Sequence, residues 1–199
     1  VIKNVTTDSA LIGVCGPKAQ ALIRECLQIP NSGLPPGRRA LGSYGATEVE
    51  LTVGGPLDGA GFSLWVELGI AVRLWTALLE AGAQPVGFEA LEIVRIESGV
   101  PRYGMDVDEQ VIPLEAGLDR AVDFEKGCFI GQEAIAKMHH LGKPRRYLVG
   151  LVIDGDAIPC LGTAILEGEK EIGRITSCVK SRALDRIIAL ASVRRGFEA

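Results

Sequence analysis

The sequence lacks any run of about 18 to 20 consecutive apolar residues, the length that a helix needs to cross a bilayer. Its first residues, "VIKNVTTDSA", also lack the charged segment followed by an apolar one that is typical of a secretory signal. We therefore expect a soluble, cytoplasmic protein without a membrane partner. The first residue is Val1 rather than Met, which suggests that a further N-terminal part precedes this sequence.

Positive charge is not in excess either. The 199 residues include 21 Lys and Arg against 25 Asp and Glu, for a net charge of −4. Because no overall basic field is present to attract nucleic acid, we expect no nucleic-acid partner. With 47% hydrophobic residues, the chain is long and apolar enough to bury a core in one or two domains.

Metal-binding patterns are missing as well. The five cysteines, Cys15, Cys26, Cys128, Cys160 and Cys178, form no CxxC pair and no close group with histidine. A self-contained zinc or iron–sulfur site usually draws at least two ligands from one tight turn, so we predict no metal site. An odd number of widely spaced cysteines is typical of reduced thiols in a cytosol-like compartment.

His139 and His140 are the only histidines. Adjacent residues of a helix point to different sides, so the two rings are poor joint ligands for a metal. We predict that both are solvated or partly packed.

Hydrophobic periodicity predicts strands and helices in the first part of the chain. "SALIGVCG" is typical of an apolar strand, and "PKAQALIRECLQI" of a helix with Pro17 in its first turn. "ATEVELTV" and "FSLWVEL" alternate with period two and predict a hairpin. Residues 70–81 and 87–99 read as two helices, each ended by a glycine, Gly82 and Gly99.

Loops are predicted where glycine, proline or acidic residues cluster. "NSGLPPGRR" and the hairpin connection "GGPLDGAG" are rich in glycine and proline. A glycine-rich loop can also cradle a phosphate, but no Lys followed by Ser or Thr comes after this one, so a simple turn is favoured. Three acidic residues fall within 106–109, in a largely irregular stretch, and predict a solvated loop.

The pattern changes after Pro144. The stretches "RYLVGLVID", "GTAILEG", "KEIGRITSCV" and "RIIALASV" are short, apolar or alternating, and separated by glycine and charged residues. They predict a small all-β unit of four or more strands, closed as a barrel. We therefore predict one domain over residues 1–143 and a second over 144–199.

Glu97 stands in the last turn of the helix predicted over 87–99. A carboxylate there faces the negative end of the helix dipole, at a cost of roughly 0.3–1 kcal/mol. Two interpretations are open on these residues alone. Glu97 is a functional group, or it is a surface glutamate paired with Arg95 or Arg102.

Cys128 lies in "EKGCFIGQEA", just before a helix predicted to start near Gly131. Its position near the positive end of that helix, and close in sequence to the Lys126 ammonium, favours the thiolate over the thiol. A reactive thiol is one interpretation. The other is a small apolar side chain packed in a turn, which is the commoner role of a free cysteine.

A long stretch of the chain resembles a known family. "ALEIVRIESGVPRYGMDVDEQVIPLEAGLDRAVDFEKGCFIGQEAIAKM" is similar to the glycine-cleavage T-protein superfamily, and "KGCFIGQE" resembles the signature of its YgfZ-like branch of folate-binding proteins. "LIGVCGPKA" resembles the family's strand and helix entry. The resemblance implies an α+β fold, with an antiparallel folate-binding region that lacks its N-terminal part here, followed by a C-terminal β-barrel.

The resemblance also implies roles for four residues. "RIESG" is similar to the T-protein "RLEAG", whose glutamate binds the pterin of tetrahydrofolate, so Glu97 is expected to accept hydrogen bonds from the pterin ring N–H and its exocyclic amine. Lys126 falls where the T-protein has an arginine that holds folate. Lysine keeps the positive charge but lacks the planar guanidinium group of arginine, with its fork of N–H donors. Phe197 falls where the T-protein has a folate-contacting tyrosine, without the hydroxyl. Cys128 matches the cysteine that YgfZ-like proteins require.

Two functions follow from the resemblance, both with tetrahydrofolate or a one-carbon derivative as cofactor. A YgfZ-like protein is expected to act in the assembly or maintenance of iron–sulfur enzymes, with Cys128 as the reactive thiol and iron–sulfur proteins as partners. An aminomethyltransferase instead moves an aminomethyl unit from a lipoyl carrier protein to tetrahydrofolate, giving methylenetetrahydrofolate and ammonia. "KGC" favours the first. The T-protein aspartate important for transfer has no match because this sequence is expected to begin downstream of it, so its absence favours neither function. A ligand-free scaffold is the third alternative.

Overall fold

The chain divides into two compact units, Val1–Phe88 and Glu89–Ala199. The computed structural model describes residues 2–29, 37–54 and 61–197. In the described part, each unit contains one four-stranded sheet in which all paired strands are antiparallel. The domain boundary expected between residues 143 and 144 stays a prediction.

The first unit packs two helices against its sheet, whose strand order is β1-β4-β3-β2. In register, Ile12, Leu64 and Leu51 stand side by side on three neighbouring strands, and all three are buried. Alternation therefore gives the sheet one apolar face for the helices. The elements are β1 (Ser9–Cys15), α1 (Ala19–Cys26), β2 (Arg39–Tyr44), β3 (Thr47–Val53), β4 (Gly61–Glu67) and α2 (Leu68–Glu80).

The predicted strands and helices of this unit are confirmed, except that α1 begins at Ala19, so Pro17 precedes the helix instead of lying in its first turn. One strand was missed. β2 reads "RALGSY", and its Gly42 and Ser43 gave no strand signal in the sequence. A Cβ at Gly42 would lie 2.7 Å from Ile29 Cγ2 and 3.0 Å from the Gln28 carbonyl oxygen, so this close approach requires glycine. Ser43 and Gln28 exchange two backbone hydrogen bonds across that contact, at 2.9 and 3.0 Å.

The second unit contains a helix packed on the last strands of the chain. Ile96 of that helix contacts Ile188 and Leu190 on the neighbouring sheet, and Val179 and Leu148 pack around them. The strand order is β5-β8-β7-β6, as expected for a small all-β part after Pro144. The elements are α3 (Phe88–Glu97), 3-10 helices Pro113–Ala116 and Asp119–Ala121, α4 (Gln132–Leu141), β5 (Arg146–Ile153), β6 (Ala164–Glu167), β7 (Lys170–Ser181) and β8 (Arg186–Arg194).

Two of the loop predictions fall on parts of the chain outside the described residues. Residues 30–36 hold most of "NSGLPPGRR", and residues 55–60 hold most of "GGPLDGAG". The choice between a simple turn and a phosphate cradle is therefore open. Among the helices of the described ranges, none is long and apolar enough to span a membrane.

Candidate functional site

Glu97 is the last residue of α3 and is exposed to solvent. The helix ends as the sequence predicts, because Gly99 adopts a positive φ of 70° and its N–H donates to the Ile96 carbonyl. The Ser181 hydroxyl donates to Glu97 Oε1 at 2.5 Å, and Ser181 itself is fully buried at the end of β7. A buried side chain of the sheet therefore holds an exposed carboxylate at the helix end.

Arg95, two residues before Glu97, lies in a buried polar network. Its Nη1 donates to Asp106 Oδ2 at 2.6 Å, its Nη2 donates to Ser177 Oγ at 2.6 Å, and it forms an ion pair with Glu92. Arg102 also contacts Glu92, at 3.3 Å. The alternative that Glu97 pairs with Arg95 or Arg102 is thus wrong, because both arginines pair with Glu92 whereas Glu97 accepts from Ser181.

Asp106 corrects the expectation of a solvated acidic loop. Asp108 and Glu109 are exposed, but Asp106 is only 5% exposed. Its Oδ2 accepts from the Arg95 guanidinium and from the Arg102 backbone N–H at 2.9 Å. Its Oδ1 accepts from two hydroxyls of β7, those of Thr176 at 2.6 Å and Ser177 at 2.7 Å. Four donors therefore fill the acceptor sites of the carboxylate.

The ion pair between Glu92 and Arg95 predicts a loss of stability in acid. The hydrogen bond from the Arg95 guanidinium, which outweighs the opposing effect of burial, lowers the pKa of the Glu92 carboxyl below its ordinary value. A carboxyl whose pKa is lower folded than unfolded stabilises the fold above the unfolded value, about 4.3, and loses that contribution as the pH falls through the folded value. Glu92→Gln should therefore lower the urea midpoint at pH 7, and the difference from wild type should shrink towards pH 3.

Glu89→Gln is the matched control for this measurement. Glu89 is exposed in the first turn of the same helix, and it pairs with no cation among the described residues. Its replacement is expected to change the midpoint little at either pH. An equal difference between Glu92→Gln and wild type at pH 7 and pH 3 would contradict the role of the Glu92 charge.

Cys128 and Lys126 lie in one exposed loop before α4. The Asp123 carboxylate accepts from the backbone N–H groups of residues 125 and 126, at 2.9 and 3.1 Å. At the other end, the Phe129 N–H donates to Gln132 Oε1 at 3.1 Å, and Lys126 Nζ lies 4.7 Å from the centre of the Phe129 ring. The start of α4 is confirmed, and the exposed thiol does not fit the alternative of a packed apolar side chain.

Phe197 lies far from Glu97. Its ring is 5.4 Å from Lys170 Nζ, and Lys170 is the first residue of β7, whereas Ser181, the partner of Glu97, is the last. Along a 12-residue strand at about 3.3 Å per residue, those ends are roughly 35 Å apart. The structure therefore brings Lys126 and Cys128 into one loop and places Glu97 and Phe197 at opposite ends of β7.

The two histidines are partly packed against other rings. His139 stacks on Phe124 with 3.9 Å between ring centres, and His140 meets His139 edge to face at 4.8 Å. Within the ranges that the structure describes, no group of three or more His, Cys, Asp or Glu side chains could hold a metal ion.

A cavity of about 660 Å³ lies between α3 and the end of β7. Ile93, Ile158, Cys178 and Val179 form its apolar walls. Its polar lining residues are Glu89, Glu92, Lys180, Ser181, Arg182 and Asp185, and Glu97 is not among them. Its volume is in the range of small-molecule sites, although such sites usually have fewer charged groups. Sequence patterns missed this cavity and the network beside it. The sequence feature that could have indicated them is serine at positions 177 and 181, because the alternation of β7 places these side chains on its inward face.

Comparison with known proteins identifies the family to which this fold belongs. Residues 1–126 match the GCVT N-terminal domain, and residues 146–199 match the glycine cleavage T-protein C-terminal barrel domain. The chain therefore belongs to the glycine cleavage T-protein family. The expected α+β fold, with an antiparallel T-protein-type region followed by a barrel-type domain, is confirmed.

Individual relatives agree with this assignment. The aminomethyltransferase of Streptomyces avermitilis is 34% identical over 200 residues, which covers 97% of this chain and 54% of the relative. That of Moorella thermoacetica is 34% identical over 199 residues, with 98% and 54% covered. The crystal structure of the glycine cleavage system aminomethyltransferase T from Bartonella henselae has a TM-score of 0.81 at 25% identity, covering 96% of this chain and 53% of that one. The chain spans about half the length of these relatives.

Proposed function

We propose that this chain is part of a YgfZ-like, folate-binding protein that acts in the assembly or maintenance of iron–sulfur enzymes through Cys128. The observation that carries the proposal is the exposed thiol of "KGCFIGQE" in the loop before α4. Asp123 and Gln132 fix the two ends of that loop and leave Cys128 accessible to a partner. A thiol with a merely structural role would be packed instead.

Tetrahydrofolate or a one-carbon derivative is the proposed ligand, with Glu97 on the pterin. The Glu97 carboxylate is exposed, and only its Oε1 is bonded to another described residue, Ser181. A carboxylate offers about four acceptor sites, so it can still receive the two neighbouring N–H donors of a pterin. The cavity beside Ser181 has the volume of a small-molecule site, although Glu97 is not among its lining residues. Lys126 supplies a cation for the folate in this proposal, whereas Phe197 takes no part in it, because it lies at the opposite end of β7 from Glu97.

The proposed role of Cys128 requires a partner protein. One cysteine cannot hold a cluster by itself, and no group of metal ligands is present in the described part of the chain. Cys128 would therefore share a cluster that a partner carries, or attack the carbon of a folate one-carbon adduct, forming a C–S bond while the bond from that carbon to a folate nitrogen breaks and the nitrogen takes up a proton. All five cysteines are free thiols, which supports a reducing, cytoplasmic compartment.

Aminomethyl transfer is the second candidate. It is supported by the relatives, which are named aminomethyltransferases. In this case the substrates would be tetrahydrofolate and the aminomethyl group of a lipoyl carrier protein, and the products methylenetetrahydrofolate and ammonia. Glu97 would bind folate in both candidates. Only Cys128 distinguishes them, because the transfer does not need a thiol at that place.

A single-turnover experiment separates the two candidates. Full-length protein is mixed with aminomethyl-lipoyl carrier protein and tetrahydrofolate, and methylenetetrahydrofolate is measured. We expect no product above the enzyme-free rate, and we expect Cys128→Ser to lower the activity of a dependent iron–sulfur enzyme at least about tenfold. Cys160→Ser, at another exposed cysteine, is the control and should have no effect. Rapid product formation that Cys128→Ser does not change would favour the transferase.

A further inference from the structure

Ser181 joins three parts of the second unit through one hydroxyl. It is the last residue of β7, its side chain is fully buried, and its O–H donates to Glu97 Oε1 at 2.5 Å. The backbone N–H of Leu184, in the turn between β7 and β8, donates to Ser181 Oγ at 3.0 Å. The end of the strand, the following turn and the end of α3 therefore meet at this oxygen.

The direction of this hydrogen-bond chain is fixed by its two ends. The Leu184 amide can only donate, and an ionised carboxylate can only accept. The hydroxyl of Ser181 has one proton, so that proton must point at Glu97 while a lone pair faces Leu184. Hydrogen bonds arranged in such a chain polarise one another, and a bond to a charged group is the stronger kind.

We propose that Ser181 is a positioning residue for pterin recognition by Glu97. The inference rests on the proposed function, because it assigns Ser181 to the carboxylate that would bind the pterin. Glu97 lies at the exposed end of α3, where a long side chain would otherwise sample several rotamers. Ser181 fixes Oε1 from the buried side, and Oε2, which is bonded to no other described residue, stays available to accept from the ligand. Holding a binding group in its bound orientation before the ligand arrives increases affinity.

The chain offers a matched control in Ser177. Ser177 lies on the same strand, is also fully buried, and also uses its hydroxyl in hydrogen bonds to a carboxylate and a guanidinium. Those partners are Asp106 and Arg95, not Glu97. Ser177→Ala and Ser181→Ala thus remove equally buried hydroxyls, and only the second removes the anchor of Glu97.

The experiment measures the affinity of the full-length protein for 5-formyltetrahydrofolate by calorimetry, with the urea midpoint of each variant measured in parallel. We expect Ser181→Ala to weaken binding about tenfold, as for loss of one hydrogen bond that orients a charged group, and Ser177→Ala to leave binding within about twofold. Ser181→Cys, a side chain of similar size with a weak donor, should give an intermediate affinity, and it replaces the alanine variant if that variant does not fold.

Combining the substitution with Glu97→Ala tests whether Ser181 acts through Glu97. Without the carboxylate, Ser181→Ala should cause no further loss of affinity in a titration carried to saturation. Three results would each overturn the inference. The first is unchanged binding in Ser181→Ala, and the second is an equal loss of affinity in Ser177→Ala. The third is an equal loss on adding Ser181→Ala to Glu97→Ala. If Glu97→Ala itself binds as well as wild type, the pterin role of Glu97 fails and the inference with it. If only Glu97→Ala loses affinity, the proposed function stands and Ser181 is merely structural.

Discussion

Replacement of Asp106 by alanine is expected to lower the free energy of unfolding by about 3–5 kcal/mol, the range found when one partner of a buried ion pair is removed. The Asp106 carboxylate accepts from the Arg95 guanidinium, the Arg102 amide and the hydroxyls of Thr176 and Ser177. Alanine would leave those donors short of an acceptor in a site that is closed to water. Arg95 would keep Glu92 as an ion-pair partner, so the lower end of the range is the better expectation.

Asp108→Ala is the control for the same loop. Asp108 is exposed, and among the described residues its carboxylate accepts only a local hydrogen bond, from the Gln110 N–H at 2.8 Å. Its loss should change the free energy of unfolding by about 1 kcal/mol or less. Asp106→Asn, which keeps the shape but turns an amide N–H towards a donor, should fall between the two. Urea unfolding of the three variants measures this order, and equal effects of Asp106→Ala and Asp108→Ala would contradict the buried network.

Local patterns were sufficient for most of the strands and helices. β1, β3 and β4 alternate because one face of the sheet packs against helices, and α2 carries Leu74 and Leu78 at helical spacing for the same reason. β2 was missed because its middle residue, Gly42, is set by a close approach to Ile29 and Gln28. Such a contact brings together residues that are distant in sequence, and local periodicity carries no information about it.

The site was predictable only where a local rule applied. Glu97 could be proposed from the sequence because a carboxylate at a helix C-terminus is locally unfavourable, and because "RIESG" carries a family resemblance; its pterin role stays a prediction. Its anchor was not found, since Ser181 is 84 residues further along the chain, and Ser177 and Asp106 are 71 residues apart. Hydrogen bonds over such separations depend on the register between α3 and β7, which no pattern within either element specifies.

The burial of Asp106 illustrates the same limit within a single loop. Asp106, Asp108 and Glu109 are similar in the sequence, and the expectation of solvation was correct for two of them. Asp106 differs because it is the counter-ion of the buried Arg95 guanidinium. A buried charge needs such a partner, and buried hydroxyl groups also donate to the Asp106 carboxylate. The serines on the inward face of β7 mark that place, since buried polar side chains have hydrogen-bond partners.

Glu97→Gln is expected to weaken the affinity of the full-length protein for 5-formyltetrahydrofolate by about 10- to 100-fold. A hydrogen bond to a charged group contributes about 1.5–3 kcal/mol, and each 1.4 kcal/mol is a factor of ten in affinity. Glutamine removes the negative charge. It also replaces one carboxylate oxygen by an NH₂ group, so one of the two acceptors that face the N–H donors of the pterin becomes a donor. Glu97→Asp keeps the charge on a shorter side chain and should give a smaller loss.

Glu80→Gln is the matched control, because Glu80 is likewise an exposed glutamate at the last position of a helix, α2. Calorimetry on both variants separates a specific contact from a general effect of net charge, since each substitution removes one negative charge. Wild-type affinity in Glu97→Gln would remove this residue from the folate site, and an equal loss in Glu80→Gln would assign the effect to charge alone. A loss confined to Glu97→Gln would support the pterin contact in both candidate functions, and Cys128 would then decide between them.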